Sequence, residues 1–161
     1  MNKLEEQRRA LLKSFLYALR GIRFCVKNER NMRIHISAAV CIAAFSFVYG
    51  LSPVEYGMLF FAIGFVIVAE MFNTGIEVVI NLEMPSYHNL AKIGKDVAAG
   101  AVLVAAVTAI LIGLSLFLRF PKLPDTLWAI LTTPHLLIAF ILLVGAGVLF
   151  AFWGNHLFRQ K

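Results

Sequence analysis

The chain has 161 residues, of which 60% are apolar and 15% are charged, and its formal net charge is +6. An average soluble domain is roughly 45–50% apolar and about 25% charged, so this excess of apolar side chains requires lipid as a solvent. Nine of the fifteen Lys and Arg residues precede Ile34, in a segment that leads directly into an apolar run. A basic segment beside anionic lipid explains this charge, and we expect no nucleic-acid partner.

The N-terminal segment has the pattern of an amphipathic helix. Apolar residues recur at helical spacing over residues 4–26, with five basic residues among them. This pattern is typical of a helix that lies in the membrane surface, so residues 1–33 are predicted to form that helix and a juxtamembrane segment. The two cysteines, Cys25 and Cys41, have no metal-ligand spacing and are interpreted as packing residues.

Four apolar runs are long enough to cross a hydrocarbon core of roughly 30 Å, which takes about 20 helical residues. They cover residues 34–51, 54–82, 97–118 and 127–153. Pro53 favours a helix start after the first run, and Pro134 is expected to kink the fourth. The predicted fold is an all-α integral membrane protein with a surface helix and a three-helix core at residues 34–118. Residues 119–161 are predicted to hold an outer loop, a further transmembrane helix and a short cytosolic tail.

The basic residues predict the orientation in the membrane. With the N-terminus inside, the cytosolic side holds thirteen basic residues, among them Arg159 and Lys161, while the outer loops hold two, Arg119 and Lys122. Short loops with an excess of Lys and Arg stay in the cytosol. We therefore expect a multi-pass protein of the bacterial cytoplasmic membrane with both termini and the segment 81–96 in the cytosol.

The second apolar run carries three polar residues on one helical face. At about 100° per residue, Glu70, Asn73 and Glu77 fall within roughly 60° of one another. A carboxylate inside a bilayer costs on the order of several kcal/mol, so two of them require a reason. A structural interpretation has these residues pair with other helices. A functional interpretation places a divalent cation such as Mg²⁺ near Glu77 and a lipid headgroup near the deeper Glu70.

Further polar residues are expected at the same membrane interface. Lys95 and Asp96 are predicted to begin the third spanning helix, whose N-terminus would favour phosphate. Glu29 precedes the first span and is either a solvated charge or part of this site. Gly94-Lys95 is followed by Asp96 and not by Ser or Thr, so the phosphate-binding loop of soluble kinases is absent.

The sequence around these residues resembles a known family. Residues 69–79 (AEMFNTGIEVV) and 91–102 (AKIGKDVAAGAV), with Tyr87-His88 between them, closely resemble the prokaryotic diacylglycerol kinases, which include the undecaprenol kinases of Gram-positive bacteria. Residues 28–35 (NERNMRIH) are similar to the family's approach to its first span. The likeness extends over residues 15–118.

The resemblance implies a homotrimeric kinase that moves the γ-phosphoryl group of MgATP to a lipid alcohol. It implies that Glu70 is the catalytic base and that Glu29 and Glu77 are the metal and nucleotide carboxylates. The remaining nucleotide-binding positions would be Asn73, Lys95 and Asp96. Phosphoryl transfer mostly needs positioning and charge neutralisation, which Mg²⁺ and a lysine provide.

Two departures from the family pattern keep more than one function open. Position 81, usually Asp in the family, is Asn81 here, and the fourth apolar run lies beyond the usual three spans. The substrate is either undecaprenol or diacylglycerol, since both present one hydroxyl at the interface. Two different kinds of protein also fit the pattern: an inactive or regulatory relative, and a small ion-conducting membrane protein that uses the acidic face as its path.

Overall fold

The computed structural model describes residues 3–83 and 88–157, over which the chain forms six helices and no strand. The helices are α1 (Lys3–Asn28), α2 (Arg30–Tyr49), α3 (Pro53–Glu83), α4 (Asn89–Phe117), α5 (Lys122–Thr132) and α6 (Pro134–Leu157). Four of them, α2, α3, α4 and α6, are long and apolar enough to cross a membrane. The predicted all-α membrane fold is therefore confirmed. Three residues that entered the sequence predictions, Tyr87, Arg159 and Lys161, lie outside the described residues.

The surface helix α1 is separated from α2 by one extended residue. Glu29 has φ −100° and ψ 120°, and its side chain makes no capping hydrogen bond to α2. The side-chain amide of Asn28 instead donates to the carbonyl of Phe24 at 2.9 Å, so α1 ends immediately before Glu29. The Glu29 carboxylate is thereby available to groups outside its own helix.

The turn between α2 and α3 is defined by local hydrogen bonds. Gly50 adopts the left-handed conformation (φ 70°) that glycine allows without steric cost, and its N–H donates to Ser46 O at 2.9 Å. The N–H of Ser52 then donates to Glu55 Oε2 at 2.7 Å, and the N–H of Glu55 donates to Ser52 Oγ at 3.4 Å. This reciprocal pair is a capping box, and it confirms the helix start expected at Pro53.

The same end of the molecule is closed by contacts with the segment after α4. Arg119 forms an ion pair with Glu55. Lys122 Nζ donates to Gly50 O at 2.7 Å and lies 4.5 Å from the centre of the Tyr49 ring. A buried apolar cluster lies beneath these contacts and consists of Tyr49, Leu51, Leu59 and Leu116.

Helices α3 and α4 form the most extensive helix pair. A Cβ atom on Gly94 would come within 3.0 Å of Ile80 Cδ1, so the glycine allows a close approach near the start of α4. Ala98 and Ala105 of α4 are buried, whereas Ala101 is exposed. Val102 lies between the two buried alanines on the packed face, because positions i, i+4 and i+7 share one side of a helix.

The expectation that Lys95 and Asp96 begin the third spanning helix is wrong. Helix α4 starts two turns earlier, at Asn89, where the His88 side chain accepts a hydrogen bond from Leu90 N at 3.2 Å. The favourable field of a helix N-terminus is confined to its first turn, so it does not act at Lys95. Any attraction of Lys95 for phosphate must come from its own charge.

Pro134 does not kink a single fourth helix, as the sequence analysis expected. It separates α5 from α6, and Thr133 before it is extended, with φ −103° and ψ 103°. Proline disfavours the helical conformation at the preceding residue, so Thr133 leaves the helix. Pro134 then occupies the first position of α6, where its missing N–H costs nothing.

Candidate active site

The polar face of α3 is buried where the sequence analysis placed it. Glu70 is 1% exposed and Asn73 is 8% exposed, while Glu77 is half-buried. The Asn73 side-chain amide donates to Glu77 Oε1 at 3.4 Å. Both carboxylate oxygens of Glu70 and the Oδ1 atom of Asn73 have no hydrogen-bond partner among the described residues. The structural interpretation needed such partners, because buried polar atoms in native structures almost always have one.

Glu29 lies at the same site and is not a solvated charge. Its side chain is half-buried, and its pKa is raised above the usual range by burial and by the nearby charge of Glu77, against the opposing charge of Arg33. Glu70 also interacts electrostatically with Glu29 and Glu77. The structure thus brings together three carboxylates from the α1–α2 junction and from α3. Such a set favours a bound positive charge.

Lys95 contacts α3 one helical turn beyond Glu77. Its Nζ atom donates to Asn81 Oδ1 at 2.7 Å, and Asn81 lies one helical turn beyond Glu77 on α3. Asp96, by contrast, is exposed and forms no ion pair with any described residue. Lys95 is therefore aligned with the acidic face of α3, whereas Asp96 is not brought into contact with it.

Two buried residues beside Glu70 were missed as site residues by the sequence analysis. Thr74 is 2% exposed, and its hydroxyl donates to the backbone carbonyl of Glu70 at 3.0 Å. Cys25, on α1, is also buried; burial raises its pKa, and a hydrogen bond with Thr74 opposes that rise. The position of Thr74 four residues after Glu70 was the available signal. The contact with α1 could not be read from the chain, because it joins distant segments.

The donor atoms of this site fit a hard divalent cation. No group of three or more His, Cys, Asp or Glu side chains that could hold a metal occurs among residues 3–83 and 88–157. The chain instead offers two neighbouring carboxylates, Glu29 and Glu77, and the unpaired Asn73 Oδ1 atom. Mg²⁺ is usually bound by one or two carboxylates together with phosphate oxygens and water. These residues therefore fit Mg²⁺ bound with a phosphate ligand.

An apolar cavity of about 710 Å³ lies between the helices. Side chains of α2, α3, α4 and α6 line it, and His35 is the basic residue among them. Val66, which also lines the cavity, lies one helical turn before Glu70 on α3. Positions four residues apart share a helix face, so the cavity and Glu70 lie on the same side of α3.

Comparisons with known proteins identify sequences that are similar to this chain. Residues 16–117 match the model of the family described as prokaryotic diacylglycerol kinase. The chain is 43% identical over 111 residues to an undecaprenol kinase of Bacillus subtilis, an alignment that covers 69% of this chain and 89% of that protein. No solved structure matches the chain.

Two further relatives are named diacylglycerol kinases. The one from Synechocystis is 39% identical over 104 residues, which cover 64% of this chain and 59% of the relative. The one from Escherichia coli is 29% identical over 104 residues, which cover 63% of this chain and 83% of the relative. The matched region includes α2, α3, α4 and the candidate site, whereas α5 and α6 follow it.

Proposed function

Because this chain belongs to the prokaryotic diacylglycerol kinase family and is a lipid kinase, we propose that it transfers the γ-phosphoryl group of ATP to the hydroxyl of a membrane lipid alcohol. The transfer takes place at the cytosolic membrane interface. Glu70 supports this function most directly, because its carboxylate is 1% exposed and neither oxygen has a hydrogen-bond partner among the described residues. A buried base of this kind suits a substrate whose hydroxyl approaches from the membrane.

Glu70 is proposed to act as the general base. One of its carboxylate oxygens accepts the proton of the lipid hydroxyl while the hydroxyl oxygen forms a bond to the γ-phosphorus of ATP. The bond from that phosphorus to the bridging oxygen breaks, and ADP leaves. An alcohol is a poor nucleophile near neutral pH, and a positioned base typically contributes 10²–10⁴-fold to such a reaction.

Glu29 and Glu77 are proposed to hold Mg²⁺ with the ATP phosphates. When bound, Mg²⁺ neutralises phosphate charge and polarises the transferred group. Burial and the neighbouring Glu77 charge raise the pKa of Glu29, so a cation shared by the two carboxylates relieves their repulsion. Asn73 Oδ1 is a further oxygen donor beside them, and its amide group restrains Glu77.

Lys95 is proposed to bind phosphate. A lysine ammonium has three N–H donors, and one of them is occupied by Asn81 Oδ1 at 2.7 Å. Because Asn81 is neutral, this bond orients Lys95 without cancelling its charge. Asn81, which stands where the family usually has Asp, therefore leaves Lys95 available for phosphate. Asp96 stays a candidate nucleotide-binding residue, with its exposed position as the only support.

The lipid chain of the substrate is proposed to occupy the cavity beside Val66, which would place its hydroxyl near Glu70. We predict that Gly113→Leu raises the KM for the lipid alcohol while the KM for ATP is unchanged. Gly113 lines the cavity, and a Cβ atom there would meet nothing within 4 Å, so the larger side chain extends into free space. Gly113→Ala is the matched small substitution and should have a weaker effect. Equal lipid KM values for wild type and the leucine variant would exclude this cavity as the chain site.

The protein is proposed to reside in the cytoplasmic membrane with both termini in the cytosol. Gly154, near the end of α6, lies against Arg33, near the start of α2 and the candidate site. A C-terminal tag on the protein in intact spheroplasts is therefore expected to resist added protease and to be cleaved only after lysis. Cleavage in intact spheroplasts would overturn this topology.

The proposal includes a homotrimeric assembly, as the family resemblance implies. Many apolar side chains on the spanning helices are exposed in the single chain, which leaves surface for lipid and for neighbouring copies. Chemical crosslinking in detergent micelles should yield a trimer as the largest species. A protein that remains monomeric while fully active would exclude the trimer as a requirement.

The function is tested by following ADP formation in mixed micelles. We expect ADP release to require an added lipid alcohol and Mg²⁺, with undecaprenol and diacylglycerol compared at equal mole fractions. Release that does not depend on a lipid alcohol would contradict lipid phosphorylation. Ion flux in liposomes without any ADP formation would favour an ion-conducting protein. The absence of both ADP formation and ion flux would favour an inactive relative.

A further inference from the structure

Arg33 is a buried cation that joins three segments of the chain. It is 4% exposed, although the sequence pattern counts it among the basic residues beside the membrane. Its Nη1 atom donates to the carbonyls of Val26 and Lys27, both at 3.1 Å, in the last turn of α1. Its Nε atom donates to the carbonyl of Ala151 on α6 at 3.3 Å. The carbonyls of Val26 and Lys27 lie at the end of a helix, where carbonyl groups have no intrahelical partner, so Arg33 supplies donors that they need.

Helix α6 fits against α2 at the same place. The Ser37 hydroxyl lies within hydrogen-bond distance of two carbonyls, Arg33 O on α2 at 2.8 Å and Gly147 O on α6 at 3.0 Å, and a Cβ atom on Gly147 would lie 3.3 Å from Ser37 Cβ. A Cβ atom on Gly154 would lie 2.7 Å from Arg33 Cδ and 3.2 Å from its Nε. Arg33 contacts Gly154, and Ser37, one turn later on α2, contacts Gly147, which lies earlier on α6. The two helices are therefore antiparallel. The absence of a side chain at Gly154 leaves room for the Arg33 side chain.

We propose that α6 is a positioning element for Glu29 and acts through Arg33. The Glu29 residue forms the extended link between α1 and α2, and Arg33 ties the end of α1 to α6 directly beside this link. Arg33 also lies close enough to Glu29 to interact with its charge. The guanidinium thereby fixes where the Glu29 carboxylate stands relative to Glu77. The role of Glu29 as a metal carboxylate rests on the proposed function.

Substitution of Gly154 tests this role without changing any residue of the proposed site. Gly154→Ala adds a methyl group against Arg33, which is buried and held by three hydrogen bonds and so cannot move without losing them. We expect the Mg²⁺ concentration for half-maximal lipid phosphorylation to rise roughly tenfold or more, since partners that orient metal ligands contribute at that level. The kcat at saturating Mg²⁺ should change little.

Gly145→Ala is the matched control on the same helix. A Cβ atom at Gly145 meets nothing within 4 Å, so this variant should keep the wild-type Mg²⁺ dependence. A double-variant cycle adds specificity: in an Arg33→Ala background, Gly154→Ala should have little further effect on the Mg²⁺ requirement, because its closest steric partner is gone and only Phe150 Cδ2, at 3.3 Å on α6 itself, remains. Arg33→Lys, which keeps the charge but lacks the forked donors, should show an intermediate Mg²⁺ requirement.

Two readouts do not depend on turnover. Binding of Mn²⁺ with ATP, followed by electron paramagnetic resonance without lipid alcohol, should weaken in Gly154→Ala and stay normal in Gly145→Ala. The alkylation rate of the buried Cys25 thiol, measured by mass spectrometry, should rise in Gly154→Ala as the end of α1 loosens. If Gly154→Ala fails to fold, Ser37→Ala, which removes the hydroxyl that contacts Gly147 O on α6 and Arg33 O on α2, should shift the Mg²⁺ requirement in the same direction by less.

The outcomes separate this inference from the proposed function. Identical Mg²⁺ dependence and Mn²⁺ binding in Gly154→Ala and Gly145→Ala, with an active wild-type protein, would overturn the positioning role of α6. A Gly154→Ala effect that persists in full in the Arg33→Ala background would also overturn it, because the effect would not pass through Arg33. A wild-type protein without lipid phosphorylation would overturn the proposed function instead.

Discussion

Replacing Glu70 by Gln is expected to lower the rate of lipid phosphorylation by at least about a hundredfold, the lower limit of what a positioned base contributes. Gln keeps the shape of the side chain but cannot accept the hydroxyl proton. Binding of MgATP should persist, because Glu29 and Glu77 carry the proposed metal site. The measurement compares the initial rate of labelled lipid formation with the affinity for ATP in the same preparation.

The same substitution should leave the fold intact or stabilise it. The Glu70 carboxylate is buried and has no hydrogen-bond partner in the described part of the chain, and a buried unpaired carboxylate costs free energy that a neutral amide reduces. A thermal midpoint equal to or above that of the wild type, together with the loss of turnover, is the expected pair of results. Glu83→Gln, at the exposed end of α3, is the matched control and should keep wild-type turnover. Near-normal turnover in the Glu70 variant would remove Glu70 as the base.

Replacing Glu77 by Gln should raise the Mg²⁺ requirement by at least about tenfold, which corresponds to about 1.4 kcal/mol of lost binding, or abolish turnover. The substitution removes one of two neighbouring carboxylates, while the hydrogen bond from Asn73 can still reach the amide oxygen. Titration of turnover with Mg²⁺ at fixed ATP measures the shift, and helical content by circular dichroism verifies the fold. A Mg²⁺ dependence identical to that of the wild type would exclude Glu77 as a ligand.

Most of the architecture follows from the pattern of apolar residues. Runs of sufficient length predicted the four spanning helices, and helical spacing placed Glu70, Asn73 and Glu77 on one face, which the structure buries. The predicted start of α4 was wrong because an apolar run marks only the part of a helix that lies in hydrocarbon. The first two turns of α4 carry Asn89, Lys92, Lys95 and Asp96, which interrupt the apolar pattern before the continuous run begins.

The remaining features depend on contacts between distant segments. The burial of Arg33 requires the carbonyl of Ala151, which is 118 residues away in the chain, so its sequence context indicates only a basic residue near a membrane. A proline such as Pro134 can either kink a helix or end it. The extended backbone at Thr133 shows that the helix ends there. Likewise, the sequence shows only that Asn81 lacks the negative charge of the family's usual Asp. The hydrogen bond that it accepts from Lys95 is visible only in the structure.

The central claim is tested most directly by following the γ-phosphoryl group itself. Purified protein in mixed micelles is incubated with Mg²⁺, a lipid alcohol and ATP that carries a labelled γ-phosphate, and the lipid is then extracted into organic solvent. We expect label in the extracted lipid phosphate in the wild-type protein, at a level that falls by about a hundredfold or more in Glu70→Gln. Absence of label from undecaprenol and from diacylglycerol, in a wild-type protein that is folded and binds MgATP, would contradict it.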